Sequence, residues 1–192
     1  IFPRPTAVYP AGGQMGQEVE VTFLGDAAGP FKQKFKLPAE ERELFEVEPK
    51  SDGQVAPSGN RFRLFPHGNN LEVEPNNEIA KATPSQLPKA FNGIIEKQGD
   101  IDYFKFAAKK GQVFDIECYA RRLRSGLDPV MNLYKADGGG IAGNDDSRGP
   151  DSFFRVTIPA AGDYLLRVTD HLGRGAKDFV YRVEMTQPKT RL

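Results

Sequence analysis

Hydrophobic and polar side chains alternate along most of this chain with the two-residue period of a β-strand. The alternation is clear over residues 18–23, where Val19, Val21 and Phe23 are separated by polar residues, and it returns over 114–120. Turns rich in glycine, proline and aspartate separate such runs, and helical periodicity is nearly absent. Short strands joined by these turns predict an all-β fold made of two consecutive antiparallel β-sandwich modules.

A polar stretch at residues 66–71, which contains proline and glycine, separates two series of predicted strands. Domain boundaries commonly fall in stretches of this composition, and each series could close a sheet of its own. We therefore predict one module over residues 1–70 and a second over residues 71–188. A piece of about seventy residues is small for an independent sandwich, so we expect the first module to lack a strand or to lean on its neighbour.

Charge is balanced over the whole chain, which has 26 basic and 26 acidic side chains. No net field would draw the protein to nucleic acid or to an anionic membrane, so we expect neither as a partner. No run is long and apolar enough to span a bilayer, and a signal-peptide pattern is absent. Because the chain opens at Ile1 rather than at Met, we expect an excised part of a larger polypeptide, whose remainder is its first partner.

Residue patterns typical of catalysis are scarce. The only histidines are His67 and His171, which excludes a zinc site built on several histidines. The His-Glu-x-x-His and Gly-x-Ser-x-Gly motifs are also absent. Paired carboxylates for glycoside hydrolysis stay an open alternative, because sequence alone does not reveal such a pair. We predict that the protein is not an enzyme.

The single cysteine, Cys118, excludes a disulfide within the chain. It alternates with Phe114, Ile116 and Ala120, which predicts a small buried hydrophobic side chain in a strand. Without a disulfide, a small extracellular domain loses one means of stabilisation, and bound calcium could supply another.

Carbohydrate binding is a further alternative, since β-sandwich modules often bind glycans. Sugar-binding surfaces rely on exposed aromatic rings, but the chain has no tryptophan, and most of its other aromatic residues fall on core-facing positions. Tyr119 and Tyr134 are the candidates for an exposed ring, because their neighbours Cys118 and Leu133 take the inward phase.

Acidic turns, each followed by a predicted strand, recur between Glu72 and Val183. Carboxylates and amides grouped at strand ends are the ligands that a hard cation such as calcium requires. Glu72 and Glu74 are two residues apart, so their side chains point the same way if the chain is extended there. The alternative is that these residues only form caps and turns, which Asp and Asn favour on their own account.

A second acidic patch follows the glycine turn at residues 138–140. The candidate residues for a second cation or a ligand contact are Asp128, Asn144, Asp145, Asp146 and Asp151. This loop does not follow the EF-hand pattern, because it has no glycine at the sixth position and no closing glutamate. The alternative is a solvated salt-bridge cluster with the nearby Arg121, Arg122 and Arg124.

Short motifs recur in a fixed order over the second part of the chain. They lie at residues 74–76, 99–106, 110–111, 127–129, 144–146, 161–164 and 181–183. In order and spacing, residues 72–185 resemble the bacterial pre-peptidase C-terminal domain, a β-sandwich appended to secreted peptidases, and the collagen-binding domains of bacterial collagenases look like relatives. A Pro-x-Gly-Gly turn at residues 10–13, followed by a strand that stops at Gly25, resembles the opening of an Ig-like module of the IPT/TIG type.

The resemblance to the pre-peptidase domain implies calcium shared between the two acidic turns. The candidate ligands carried over from it are Glu72, Glu74, Asn76, Asn77, Asp100 and Asp102. It also implies a secreted or extracytoplasmic location, at the cell surface or in the periplasm. The expected role is a non-catalytic accessory or spacer segment, stabilised by calcium at the inter-module junction. The alternative is a module that binds extracellular protein or polysaccharide through a sheet face or through the loops at 121–124 and 144–151.

Overall fold

The computed structural model describes residues 2–188 of the chain. Strands account for 48% of the structure and helices for 3%, so the predicted all-β fold class is confirmed. The strands, numbered β1 to β19 in chain order, are Ala7–Tyr9, Gly12–Gln14, Glu18–Leu24, Phe31–Lys36, Glu46–Val47, Lys50–Ser51, Gln54–Val55, Asn60–Arg61, Arg63–Phe65, Asn69–Leu71, Thr83–Pro84, Ala90–Ile94, Asp102–Ala108, Val113–Tyr119, Pro129–Lys135, Gly140–Asn144, Phe153–Thr157, Gly162–Asp170 and Val180–Thr186. Two 3-10 helices, Ile79–Lys81 and Arg121–Leu123, complete the secondary structure of these residues. Neither helix has the length and apolar character that a membrane span needs.

Strand β14 shows how the alternation of the sequence becomes structure. Phe114, Ile116 and Cys118 face the core, with exposed fractions of 5%, 0% and 0%. The polar side chains of Asp115 and Glu117 alternate with them and stay partly exposed on the other face. Burying one large apolar side chain stabilises a fold by about 1.5–3 kcal/mol, so this alternation fixes which face of the strand turns inward. The prediction that Cys118 is buried in a strand is confirmed.

Two five-stranded sheets form a sandwich in the second part of the chain. Their strand orders are β10-β12-β19-β14-β17 and β11-β13-β18-β15-β16. Phe91 of the first sheet and Phe104 of the second lie in the core between them, with ring centroids 5.3 Å apart. Pairing is antiparallel except where β10 joins β12 and β11 joins β13, which are both parallel pairs at sheet edges.

The parallel edge strands place the predicted acidic turns. Because β10 borders one sheet and β11 borders the other, residues 72–82 cross from sheet to sheet. The connection from β12 to β13, over residues 95–101, crosses between the same two sheets. Both acidic segments therefore lie along one side of the sandwich, where two crossing connections run next to each other.

The first part of the chain has smaller sheets and a hydrophobic cluster of its own. A three-stranded sheet has the order β1-β3-β4, and two-stranded pairs join β2 to β9, β5 to β8 and β6 to β7. Its core contains Phe23 and Phe62, and also Val180 from β19 of the sandwich, so the first part does lean on its neighbour. The Ig-like identity and the division into 1–70 and 71–188 stay predictions, and β10 pairs with the second part.

Candidate metal centre between the two sheets

Three acidic side chains converge beside the two connections, residues 72–82 and 95–101, that run from one sheet to the other. Glu72 follows β10 directly, and Asp102 is the first residue of β13. Within residues 2–188, Glu72, Glu74 and Asp102 form the one group of at least three His, Cys, Asp or Glu side chains that could hold a metal ion, and their ligand atoms all lie within 4.8 Å of one another. Asp102 is fully buried, Glu72 is half-buried and Glu74 is exposed, so the group is open to solvent on the side of Glu74.

Each buried carboxylate of this group has one oxygen held by the protein and one without a partner. Glu72 Oε1 accepts a hydrogen bond of 2.7 Å from the backbone amide of Ile94, whereas Glu72 Oε2 is buried and unpaired. Asp102 Oδ2 accepts a bond of 2.6 Å from the Tyr181 hydroxyl, whereas Asp102 Oδ1 is buried and unpaired. The side chains of Glu72 and Asp102 are within hydrogen-bonding reach of each other, so a proton shared between them or a bound cation would satisfy these two oxygens.

The surroundings of Glu72 and Asp102 favour a protonated carboxyl group. Burial raises the pKa of Glu72, and the nearby charge of Asp102 raises it further. Burial also raises the pKa of Asp102, although the hydrogen bond from Tyr181 acts in the opposite direction. Burial likewise raises the pKa of Glu74. A bound cation would reverse these shifts, because it stabilises the charged form of every carboxylate near it.

Asn76 belongs to the same group by its backbone. Its amide N–H donates to Glu74 Oε2 over 3.0 Å, and its carbonyl accepts from the amide of Tyr103 over 3.1 Å, one residue beyond Asp102. The side chain is fully buried, and its Oδ1 has no hydrogen-bond partner. Asn76 therefore offers a third unpaired buried oxygen in this region.

Asp100 and Asn77 bond to each other. Asn77 Nδ2 donates to Asp100 Oδ1 over 2.7 Å, and the backbone amide of Glu96 donates to Asp100 Oδ2 over 2.8 Å. The amide of Ile101 adds a third bond, of 3.2 Å, so both oxygens of this carboxylate already have N–H donors. Asp100 thus matches the alternative reading of a turn residue, while its negative charge still acts on Glu74 and Asp102.

Other side chains shape the centre without being candidates in the sequence. Tyr181 orients Asp102, and Gly93 makes room for Tyr181 and Glu72, because a Cβ at position 93 would lie 2.2 Å from the Tyr181 hydroxyl oxygen and 2.7 Å from Glu72 Oε2. Tyr9 reaches the centre from the first part of the chain, where its hydroxyl donates to the Asn92 carbonyl over 3.2 Å. A glycine inside a strand can signal such close approach, but the partners of Gly93 are distant in sequence.

The second acidic patch has different surroundings. Asp151 is fully buried, and its carboxylate accepts bonds from the backbone amides of residues 120–122 and from Arg122 Nε over 2.8 Å. Asp128 lies 3.5 Å from Arg121 Nη2. These contacts match the alternative of a salt-bridge cluster.

The rest of this patch does not join Asp151. Asn144 Oδ1 accepts from the amides of Ser147 and Phe153, which makes Asn144 the cap of its own turn. Asp145 lies 3.6 Å from His171 Nδ1, and the side chain of Asp146 is exposed. The structure does not gather these residues around a common point, and a second cation site stays a prediction.

The two tyrosines considered for sugar binding are both half-buried. The guanidinium groups of Arg63 and Arg122 each lie 4.2 Å from the centroid of the Tyr119 ring. They compete with a sugar for the faces of this ring, part of which lines a cavity with Arg61.

Comparison with known proteins identifies part of the sandwich. Residues 100–170 match the family model of the bacterial pre-peptidase C-terminal domain. Over 99 residues, or 50% of the chain, the sequence is 36% identical to a probable subtilase-type serine protease of Deinococcus radiodurans. The matched region is 14% of the length of that protease. The resemblance to the pre-peptidase domain is confirmed for the matched residues, whereas the IPT/TIG resemblance stays a prediction.

Solved structures show more distant likenesses. The pre-peptidase C-terminal domain of a Bacillus anthracis collagenase covers 60% of this chain and 100% of its own, with 16% identity and a TM-score of 0.45. A periplasmic inhibitor of g-type lysozyme from Aeromonas hydrophila covers 54% of this chain and 97% of its own, with 15% identity and a TM-score of 0.34. Both TM-scores are low, and neither likeness bears on function.

Proposed function

We propose that this chain is a non-catalytic accessory segment of a larger secreted or cell-surface bacterial protein, and that it spaces or orients the rest of that protein. The match of residues 100–170 to the pre-peptidase family supports this role. The similarity to a probable subtilase-type protease, of which the chain corresponds to 14%, supports a position inside a longer polypeptide. The same similarity supports a secreted or periplasmic location.

A calcium ion bound by Glu72, Glu74 and Asp102 is part of this proposal. The observation that carries it is the set of buried oxygens without partners on Glu72, Asn76 and Asp102. Carboxylate and amide oxygens fit a hard cation, and Glu74 would add a further carboxylate from the solvent side. The bound ion would supply positive charge among three carboxylates, and Glu72 and Asp102 would then hold together the two connections that run between the sheets.

The expected stabilisation follows from the binding affinity. Extracellular calcium modules bind with dissociation constants of about 10⁻⁴–10⁻³ M, and calcium at a hundred times the dissociation constant stabilises the bound state by about 2.7 kcal/mol. Magnesium demands a stricter geometry and releases its water reluctantly, so its effect on the unfolding temperature should be much smaller.

Thermal unfolding in EDTA and in excess calcium tests the metal proposal. We expect calcium to raise the unfolding temperature of the wild-type chain and of the control Asp145→Asn, but not of Glu74→Gln combined with Asp102→Asn. Asp145 is a suitable control because it carries a carboxylate of the second acidic patch, against His171. An equal calcium effect in the double variant would contradict the site, and an effect lost in Asp145→Asn would move it to the second patch.

A specific observation favours the alternative function, a module that binds protein or polysaccharide. A cavity of about 650 Å³ opens between the two parts of the chain, lined among others by Phe45, Arg61, Arg122 and Leu123. Part of the 3-10 helix Arg121–Leu123 lines it, and this helix lies in the 121–124 stretch that the sequence suggests as a contact region. The test is binding of the chain to immobilised extracellular proteins and polysaccharides. Binding that Arg61→Ala weakens would support this function, whereas binding that is as strong in Arg61→Ala as in the wild-type chain would oppose it.

A further inference from the structure

The hydrophobic core of the first part of the chain is completed by the second part. Val180, the first residue of β19, is 3% exposed and belongs to the cluster around Phe23 and Phe62 rather than to the core of its own sandwich. Ile94 and Leu123, also from the second part, pack against the same cluster. The first core would therefore expose apolar surface if the two parts separated.

A buried ionic network lies beside this shared core. Arg182 is 0% exposed, and its Nε donates to Glu184 Oε1 over 3.1 Å. Its Nη1 donates to the side-chain oxygens of Asn69 and Asn92 over 2.6 Å and 3.0 Å. Glu184, which is 4% exposed, also accepts two bonds from Arg63 of the first part, of 2.9 Å and 3.2 Å. One carboxylate thus joins an arginine from each part of the chain.

Gly12 is the point at which the first part rests on this network. A Cβ on Gly12 would lie 2.6 Å from both Cζ and Nε of Arg182, so the backbone of β2 passes directly over the guanidinium group. Asn69 Nδ2 donates to the Gly12 carbonyl over 2.9 Å and ties the same point from the side. Phe65 lies in the same strand as Arg63, and the centroid of its ring is 5.5 Å from Arg182 Cζ.

We propose that the two parts of the chain form one cooperative folding unit, and that Arg182, buried under Gly12, fixes their relative orientation with or without a bound cation. A planar guanidinium group has donors in fixed directions, so it accepts one arrangement of its partners and disfavours others. Any sliding of β2 and β9 would break the bonds from Arg63 to Glu184 and from Asn69 to the Gly12 carbonyl and would press the backbone against Arg182, while separation would expose the core around Val180. The proposal does not rest on calcium, since none of the groups in this network belongs to the metal centre.

Calorimetry of the intact chain in EDTA gives the first test. We expect a single unfolding transition whose calorimetric and van't Hoff enthalpies agree. Amide relaxation measured by NMR should give one rotational correlation time for both parts. Two separate transitions, or two different correlation times, would overturn the proposal whatever the result for calcium binding.

Gly12→Ala tests the close fit of β2 against Arg182 and the Arg63 carbonyl, from which the new Cβ would lie 2.8 Å, and Gly140→Ala is its matched control. A Cβ on Gly140 meets nothing within 4 Å, so the control adds the same methyl group without a clash. We expect Gly12→Ala to lower the unfolding temperature by several degrees or to split the transition, and Gly140→Ala to leave the single transition in place. An unchanged transition in Gly12→Ala would contradict the proposal.

Arg63→Gln gives a milder probe, in case Gly12→Ala prevents folding. It removes the bonds from the first part to Glu184 and leaves the bond between Arg182 and Glu184 intact. The expected result is a weaker coupling, seen as a broader or split transition in EDTA. A transition as sharp as that of the wild-type chain, at the same temperature, would oppose the role given to the network.

Discussion

Two groups of carboxylates lie at strand ends of the same sandwich and differ in the donors around them. Asp170, at the end of β18, is 4% exposed, and it accepts hydrogen bonds from the side chain of Arg174 and from the backbone amides of Asp128, Leu172 and Arg174. Burial opposes its ionisation, but these hydrogen bonds prevail and lower the pKa of Asp170 to about 2.

Glu72 and Asp102 are acidic residues of the same sandwich with the opposite balance. Each has one oxygen with a donor and one without, and burial raises both pKa values. Acidic residues at strand ends are therefore not a uniform signal of metal binding. The number of N–H and O–H donors separates a carboxylate that stabilises a loop from one that is ready for a cation.

The largest expected loss of stability comes from removing the Asp170 carboxylate, because both of its oxygens accept hydrogen bonds. Asp170→Ala leaves three backbone amides and the guanidinium of Arg174 without their acceptor, and we expect a loss of about 2–4 kcal/mol in the free energy of unfolding. Chemical denaturation should show the same loss in EDTA and in calcium. The control Asp163→Ala removes an exposed carboxylate 3.5 Å from Lys105 and should cost less than about 1 kcal/mol. A loss in Asp170→Ala as small as that of the control would break the comparison.

Asp102→Asn should change the stability of the cation-free protein very little. In EDTA the raised pKa values leave a proton on the buried pair at neutral pH, so the variant exchanges one buried carboxylate for a neutral amide and we expect a change of less than about 1 kcal/mol in the free energy of unfolding. In calcium the variant should gain nothing from the ion. Denaturation midpoints measured with and without calcium would show both effects. A large loss in EDTA would mean that the Asp102 charge already stabilises the cation-free protein.

The two groups should also give opposite dependences of stability on pH. The folded-state pKa values of Glu72 and Asp102 are raised above their unfolded values of about 4, so in EDTA their contribution is present at low pH and lost as the pH rises through the folded values. The folded-state pKa of Asp170 is lowered to about 2, so its contribution is present above about 4 and lost as the pH falls towards 2.

Denaturant titrations from acid to mildly basic pH would resolve these two slopes. The slope should become smaller in Asp102→Asn, where burial still raises the pKa of Glu72, and calcium should flatten or reverse it in the wild-type chain, because the ion displaces protons from its ligands. A wild-type stability in EDTA that does not fall between pH 5 and 8, where we expect roughly 1–2 kcal/mol, would contradict the raised pKa values.

The mildest predicted change in calcium affinity concerns the hydroxyl that orients Asp102. Tyr181→Phe removes the bond of 2.6 Å to Asp102 Oδ2 and keeps the ring in the core. We expect calcium binding to weaken by several-fold, in line with a hydrogen bond to a charged group worth about 1.5 kcal/mol or less once water can reach the site. Tyr134→Phe, at a half-buried ring in β15, is the control and should leave the affinity unchanged.

The sequence predicted local features of this fold better than distant ones. Alternation alone indicated β14 and the burial of Cys118, because the period of a strand is written in neighbouring residues. The spacing of Glu72 and Glu74 and the resemblance to a known family also indicated all three side chains of the acidic group, Glu72, Glu74 and Asp102. The surroundings of the centre were harder to foresee, since Tyr181 reaches Asp102 across 79 positions of the chain.

The division of the acidic residues into two kinds lay outside the reach of the sequence. Asp151 and Asp102 both sit in turn-rich acidic segments, and nothing local shows that one receives backbone amides and an arginine while the other keeps a free oxygen. The network around Arg182 was missed for the same reason, because Gly12 and Asn69 are distant from it in sequence, Asn69 by 113 positions. Contacts of this range depend on sheet order, which alternation does not specify.

Isothermal titration of the chain with calcium tests the metal centre most directly. The comparison is between the wild-type chain, Asp102→Asn and the control Asp145→Asn, at a pH where binding would release protons from the centre. We predict one calcium site in the wild-type chain and in Asp145→Asn, with a dissociation constant of about millimolar or tighter, and no measurable site in Asp102→Asn. The absence of binding in the wild-type chain, or equal binding in Asp102→Asn, would contradict the assignment of Glu72, Glu74 and Asp102 as the cation site.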